Sequence, residues 1–255
     1  MTPRFSATRP VMRLQGRAGA AKRIALLVAL AGGWPCAALA AVGARCVLPD
    51  HIPAVSVQPP PAGEAQRNVR TASYVLALTW SPEFCRTHAD DPDDAIQCRL
   101  NSFGFAVHGL WPNGPGKAHP RYCGQPSLVD AATLRASLCM TPSAWLLQHE
   151  WEAHGTCGWA TPRSYFAEAR ALRAALVVPD LAPPPGGAMT AGALRGAFVA
   201  RNPGMRRNEL EVDVNGAGRL QEVLVCYDLA FRLAACHGAG GAPDGATIYV
   251  TPEAR

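Results

Sequence analysis

Apolar and polar positions change rhythm several times along the chain, and each change marks an element. Residues 24–31, Ile-Ala-Leu-Leu-Val-Ala-Leu-Ala, form an unbroken apolar run directly behind Lys22 and Arg23. The run is too short to cross a bilayer, which needs about 20 apolar residues. Ala38-Leu39-Ala40 follows with the small-x-small pattern of export cleavage. Residues 1–40 therefore read as a signal peptide, with Met12 as an alternative start. Residues 41–70 show neither helical nor strand period. Pro49, Pro53 and Pro59-Pro60-Pro61 make this an extended and mobile lead-in. A single folded domain is expected over 71–255.

Inside that domain, Tyr74-Val-Leu-Ala-Leu-Thr-Trp80 is a continuous β-prone run, read as a buried strand ended by Ser81-Pro82. The acid-rich stretch 86–97 reads as a surface loop. Phe103 to Gly109 is a second strand, expected to stop at Trp111-Pro112-Asn113-Gly114. Thr141-Pro142 and Thr161-Pro162 each place a capping hydroxyl before a proline at the first helical position. They predict helices to about His154, before Gly155, and to about Val177. Thr190 opens a third helix that ends before Asn202-Pro203-Gly204. Leu210 to Val214 alternates, Asn215-Gly216 turns, and Leu220 to Tyr227 returns. Strands first, helices between and a late hairpin predict an α+β domain. Its central sheet is mostly antiparallel, with helices at its flanks.

Charge changes the picture once it is placed along the chain. The net charge of +5 invites a nucleic-acid-coating surface, but residues 1–40 hold six basic residues and no acid. The remainder carries 18 basic and 19 acidic residues. Net charge therefore gives no support for a non-specific DNA- or RNA-coating protein, which needs a basic surface. Apart from Cys36 in the leader there are eight cysteines: Cys46, Cys85, Cys98, Cys123, Cys139, Cys157, Cys226 and Cys236. An even number in an exported chain reads as a disulfide framework, whose 105 possible pairings the sequence does not resolve. No Cys-x-x-Cys pair supports zinc, and no cofactor is expected.

Two segments carry candidate chemistry, His108-Gly-Leu-Trp-Pro112 and His149-Glu-Trp-Glu-Ala-His-Gly-Thr-Cys157. A metalloprotease helix needs His-Glu-x-x-His, with histidines four apart. Here they are five apart, about 140° from each other around a helix, and cannot easily share an ion. Glu150 and His154, four apart, do share a face. A carboxylate beside an imidazole suits acid–base catalysis. With His108 as second imidazole, the set fits metal-free phosphoryl transfer on RNA: one ring takes the 2′-OH proton and the other protonates the leaving 5′-oxygen.

Both segments resemble the signature motifs of the ribonuclease T2 family of secreted, acid-type endoribonucleases. His-Gly-Leu-Trp-Pro is matched at every position. His-Glu-Trp-x-Lys-His-Gly-Thr-Cys is matched at all fixed positions but one. Leu78-Thr-Trp-Ser-Pro-x-x-Cys85 and the late strand with Cys226 and Cys236 are also similar, so the resemblance covers about residues 72–236. It implies an α+β fold and cleavage of single-stranded RNA through 2′,3′-cyclic phosphates to 3′-phosphates. His154 would be the base and His108 the acid of the first step, with Glu150 assisting the phosphorane and His149 touching phosphate. Trp111 would help form a base-stacking site. DNA lacks the nucleophile and is not a substrate. The protein is expected to be periplasmic or extracellular, monomeric and free of membrane once the leader is removed. For Cys157 the preferred partner is Cys123, and Cys226 pairs with Cys236. Cys46, Cys85, Cys98 and Cys139 stay unassigned, although Cys85–Cys98 would close the acidic loop.

Two departures stand out. The motif's lysine is Ala153, expected at an exposed helical position, and the position after the first motif, often aspartate and tied to base choice, is Asn113. Either nothing replaces the lysine, the favoured reading, which gives a slow enzyme, or an arginine does, with Arg121 and Arg163 as candidates. A different class of reading is a catalytically weakened, secreted RNA- or protein-binding member of the same fold. Taken singly, His108 reads equally well as an ordinary half-buried histidine, and Trp111 and Trp151 read as packing residues before base platforms. His51, His88, His119 and His237 lie in loop-like segments. Tyr122 and His119 could line a base site.

Overall fold

The computed structural model describes residues 46–181, 187–237 and 240–253. The leader 1–40, the start of the lead-in and the proline loop at 182–186 lie outside the described residues.

The centre is a four-stranded antiparallel sheet of strands β1 (Ser73–Trp80), β2 (Phe105–Asn113), β4 (Leu210–Val214) and β5 (Leu220–Tyr227), in the order β2-β1-β5-β4. A short antiparallel pair, β3 (Ala188–Thr190) with β6 (Thr247–Tyr249), stands apart from it. Both faces of β1 are covered, so it reads as a continuous apolar run rather than an alternation: Leu76, Ala77 and Leu78 are wholly buried. β2 does not stop at Trp111-Pro112. It runs on to Asn113, with Pro112 opposite Tyr74. As an edge strand, β2 can hold a residue that lacks an N–H.

Among the described residues five α-helices flank the sheet: α1 (Ser81–His88), α2 (Ala131–Ser137), α3 (Ala144–Ala153), α4 (Pro162–Ala175) and α5 (Ala191–Arg201). Ser81-Pro82 ends β1 as expected. The proline then sits in the first turn of α1, so the stretch after it is helical where a loop was expected. α3 starts later than Thr141-Pro142 suggests, because Ser143 is its cap and its hydroxyl accepts from Leu146 N–H. Thr161 and Thr190 do cap α4 and α5. The core runs from Trp80, Leu110 and Leu147 through Tyr165 and Phe198 to Leu220, Val223 and Ile248. Burial of this kind is worth about 1.5–3 kcal/mol for each large side chain.

Four disulfides join Cys46–Cys139, Cys85–Cys98, Cys123–Cys157 and Cys226–Cys236. The first, between cysteines left unassigned above, ties the lead-in to the turn that follows α2. Leu48, Ile52 and Val55 pack on the core, and Gln58 N–H donates to Glu152 Oε1 at 3.1 Å. The lead-in is extended, as its prolines require, but these attachments do not fit a mobile segment. Proline removes ladder hydrogen bonds without preventing side chains from packing.

Candidate active site

His108 owes its aim to an irregularity in β2. Ala77 pairs with Gly109 and Leu78 with Val107, so His108 is the extra residue of a β-bulge, a device that redirects a side chain. Its ring nitrogens meet two carboxylates. Nδ1 is 2.6 Å from Glu222 Oε1, and Nε2 is 3.5 Å from Glu150 Oε1. Glu222 comes from β5, opposite Thr79 in the ladder. It also accepts from the Thr79 hydroxyl at 2.9 Å. Burial alone would lower the pKa of His108, but the hydrogen bond to Glu222 and the charges of Glu150 and Glu222 raise it to about 9. The same pairing holds Glu222 below the usual range, against its burial.

α3 brings the second segment onto β2. Glu150 is 1% exposed, and its Oε2 accepts the indole N–H of Trp111 at 2.9 Å. Gly109 is required here, since a Cβ on it would overlap the Glu150 carboxylate. Burial is the main reason that the Glu150 carboxyl is pushed up to about 7. His108, the Trp111 hydrogen bond and Arg121 pull the other way. Trp111 stands between the two catalytic candidates. Its ring meets His108 edge-on at 5.0 Å and lies tilted against His154 at 5.6 Å.

His154 caps α3, its N–H bonded to Glu150 O at 3.0 Å. Gly155 follows because a Cβ there would strike the Trp151 and Tyr165 rings. The Tyr165 hydroxyl in turn accepts from Leu110 N–H and donates to Leu110 O, which ties α4 to β2. Burial holds His154 well below 6.5, with Arg121, His149, His108 and His119 adding to the effect. Its Nδ1 is buried without a hydrogen-bond partner, which leaves Nε2 as the nitrogen able to reach a substrate. His149 is likewise lowered, by burial first and then by Arg121 and His108.

His108, Trp111, His149, Glu150 and His154 thus form one group. Asn113 does not join it. It sits at the far end of β2 opposite Ser73, and among the described residues no hydrogen bond ties its side chain to the histidines. Cys123–Cys157 pins the turn after His154. Ala153 is not exposed as expected but wholly buried, since the chain at Tyr122 crosses it and Tyr122 N–H donates to Ala153 O at 2.9 Å. Tyr122 touches the His149 ring edge-on at 6.4 Å, whereas His119 is exposed.

Two features escaped the sequence reading. Glu222 is a lone acid in an apolar strand, which looks like a surface position. Trp145, 53% exposed, stacks on His149 with centroids 5.3 Å apart and planes 8° from parallel. Its spacing of four from His149 was the available signal. Trp145 borders two cavities. One, of about 610 Å³, opens beside His108 and is also lined by Thr79, Phe84, Leu146, Asn215 and Glu222. The other, of about 260 Å³, lies between α3 and the lead-in residues Pro53–Pro61, against His149 and Tyr122. Among the described residues no group of three or more His, Cys, Asp or Glu side chains is arranged to hold a metal ion. None of the described helices is long and apolar enough to cross a membrane.

The Ribonuclease T2 family model matches residues 71–181. A "Probable ribonuclease" of Haemophilus influenzae is 33% identical over 175 residues, 64% of this chain and 60% of that protein. A "Ribonuclease" of Aeromonas hydrophila is 39% identical over 100 residues, 39% of this chain and 44% of the relative. The chain thus spans about half the length of these curated relatives. Among solved structures, an RNase-related protein from Calystegia sepium superposes with TM-score 0.59 at 19% identity, covering 72% of this chain and 98% of the other. RNase NT, solved in complex with 5′-AMP, gives 0.54 at 20% identity over 72% and 99%. At such identities the structural matches speak for the fold.

Proposed function

We propose that the chain, whose residues 71–181 match the Ribonuclease T2 family model, is an exported endoribonuclease of that family. It cleaves single-stranded RNA without a metal, through 2′,3′-cyclic phosphates to 3′-phosphates. The observation that carries this reading is the opposite setting of the two imidazoles: His108 between carboxylates and raised to about 9, His154 buried and held well below 6.5. Near neutral pH one ring is a cation and the other a neutral base, the protonation state that the first step requires.

In that step His154 Nε2 takes the proton of the ribose 2′-OH, and the 2′-oxygen attacks phosphorus. The bond from phosphorus to the 5′-oxygen breaks as His108 Nε2 delivers its proton to that oxygen. In the second step His108 takes a proton from water, whose oxygen attacks phosphorus, and the bond from phosphorus to the 2′-oxygen breaks as His154 returns its proton to that oxygen. Glu150, with a pKa of about 7, is partly protonated near neutrality and can donate to a phosphoryl oxygen. The exposed Trp145 face offers a stacking surface beside the cavity at His108, which suits a single-stranded base. Retention of the acid–base pair argues against a weakened, binding-only member of the fold.

A zymogram with single-stranded RNA in the gel tests the reading. Cleavage should survive EDTA, produce cyclic phosphates and leave DNA intact. Loss in EDTA with recovery on adding zinc would overturn it.

A further inference from the structure

The phosphorane formed between the two rings gains negative charge on its non-bridging oxygens, and His149, held neutral by its burial, does not balance it. The helix offers no cation either: residue 153 is alanine, wholly buried. What crosses that point is the backbone of Tyr122, whose N–H holds Ala153 O. Tyr122 has φ +51, a left-handed conformation that costs a non-glycine residue about 1–3 kcal/mol and that clusters at functional sites. The residue before it is Arg121.

Arg121 is delivered to this place by a fixed frame. It pairs with Gln66 of the lead-in through an antiparallel bridge. Arg67 Nε donates to Tyr122 O at 3.0 Å, and Cys123–Cys157 anchors the following residue. The guanidinium lies 5.4 Å from the centre of the Tyr122 ring. Its NH1 meets Glu64 Oε2 at 2.9 Å, while its Nε is buried with no acceptor. The Arg121 charge acts on His149, Glu150 and His154 alike. Arg163, the other candidate, is 73% exposed and paired with Asp130; it is not among the charges that act on these three residues.

We propose that Arg121 is the phosphate-facing cation of this site, supplied by the loop that covers Ala153, and that Glu64 occupies its guanidinium until an RNA phosphate replaces the carboxylate. The proposal rests on the ribonuclease reading for its chemistry, but its binding half can be measured apart from cleavage. Arginine's planar fork suits phosphate as it suits carboxylate, so the exchange is like for like.

The test is calorimetric titration of the intact protein with inorganic phosphate, followed by steady-state kinetics on RNA. Arg121→Ala should weaken phosphate binding about tenfold or more and lower kcat by about 10²–10³ with KM less affected. Arg121→Lys should keep part of both. Glu64→Gln should bind phosphate more tightly, because the competing carboxylate is gone. An ion pair that serves only as a structural strut predicts the reverse: Glu64→Gln and Arg121→Ala would fall together. That result would overturn the proposal, as would an Arg121→Ala protein with unchanged phosphate affinity. If Arg121→Ala does not fold, Arg121→Lys and Glu64→Gln still give opposite directions. A parent that cleaves RNA as fast as Arg121→Ala sinks this inference alone. A parent that binds phosphate through Arg121 yet leaves RNA intact sinks the ribonuclease reading and keeps the anion site.

Discussion

The two ends of the site are built from the same side chain in opposite surroundings. At the β2 end, His108 stands on a bulge between Glu222 and Glu150 and is held as a cation. At the α3 end, His154 closes a helix, its Nδ1 unpartnered, with burial first and then Arg121, His149, His108 and His119 set against its protonation. Sequence offers two histidines of equal standing. The fold makes them unequal, by giving carboxylates to one and burial with positive neighbours to the other. In the proposed mechanism this difference assigns the acid to His108 and the base to His154.

The largest effect should come from deleting either ring. His108→Ala and His154→Ala should each lower kcat/KM by about 10²–10⁴. They should also fail differently. The parent profile should rise as pH passes up through the depressed pKa of His154, where the base loses its proton. It should fall as pH passes about 9, where the acid His108 loses its own. His154→Ala should remove the acidic limb and His108→Ala the alkaline one. Two mutants with the same residual profile would erase the distinction between the ends.

A subtler change sharpens it. Glu222→Gln can still accept from His108 Nδ1–H and from Thr79, but it carries no charge. The hydrogen-bonded carboxylate is the leading influence that raises His108 against its burial. Its neutralisation should move the alkaline limb down by about one to three pH units, while the rate at mildly acidic pH, where His108 remains protonated, changes only a few-fold. Kinetics across pH 4–10 would show it. An alkaline limb that stays in place would mean that Glu150 alone sets His108.

How much of this was legible beforehand depends on how far apart the cooperating residues lie. Local signals served well. Thr161-Pro162 and Thr190 mark real helix starts, the hairpin around Asn215 is where its alternation puts it, and the i, i+4 spacing of Glu150 and His154 gives their common face. Ser81-Pro82 shows the limit of the same logic, because a proline that ends a strand also begins a helix. Glu222 was not legible, since its partner His108 lies 114 residues away and only the β1–β5 and β1–β2 pairings bring them together. The lead-in was misjudged for a related reason: Cys46–Cys139 and the Gln58–Glu152 contact are long-range facts about a segment whose local composition suggests mobility.

The smallest effect on rate is expected at Ala153, and it separates the two accounts of the missing lysine. Were the α3 end simply short of a cation, Ala153→Lys would restore one and raise kcat well above the parent. The geometry argues otherwise. Residue 153 is wholly buried and its carbonyl is engaged by Tyr122. A lysine there must displace the loop that carries Arg121, and overpacking of this kind costs about 1–3 kcal/mol. The substitution should therefore lower the melting temperature and leave kcat within a few-fold of the parent or below it. In the Arg121→Ala background, where the loop no longer carries the charge, the same lysine has a role to fill, and it should recover part of the lost rate if it reaches the phosphate. The two effects should be non-additive, as expected of residues that share one task. A single Ala153→Lys enzyme much faster than its parent would show that the α3 end lacks a cation after all.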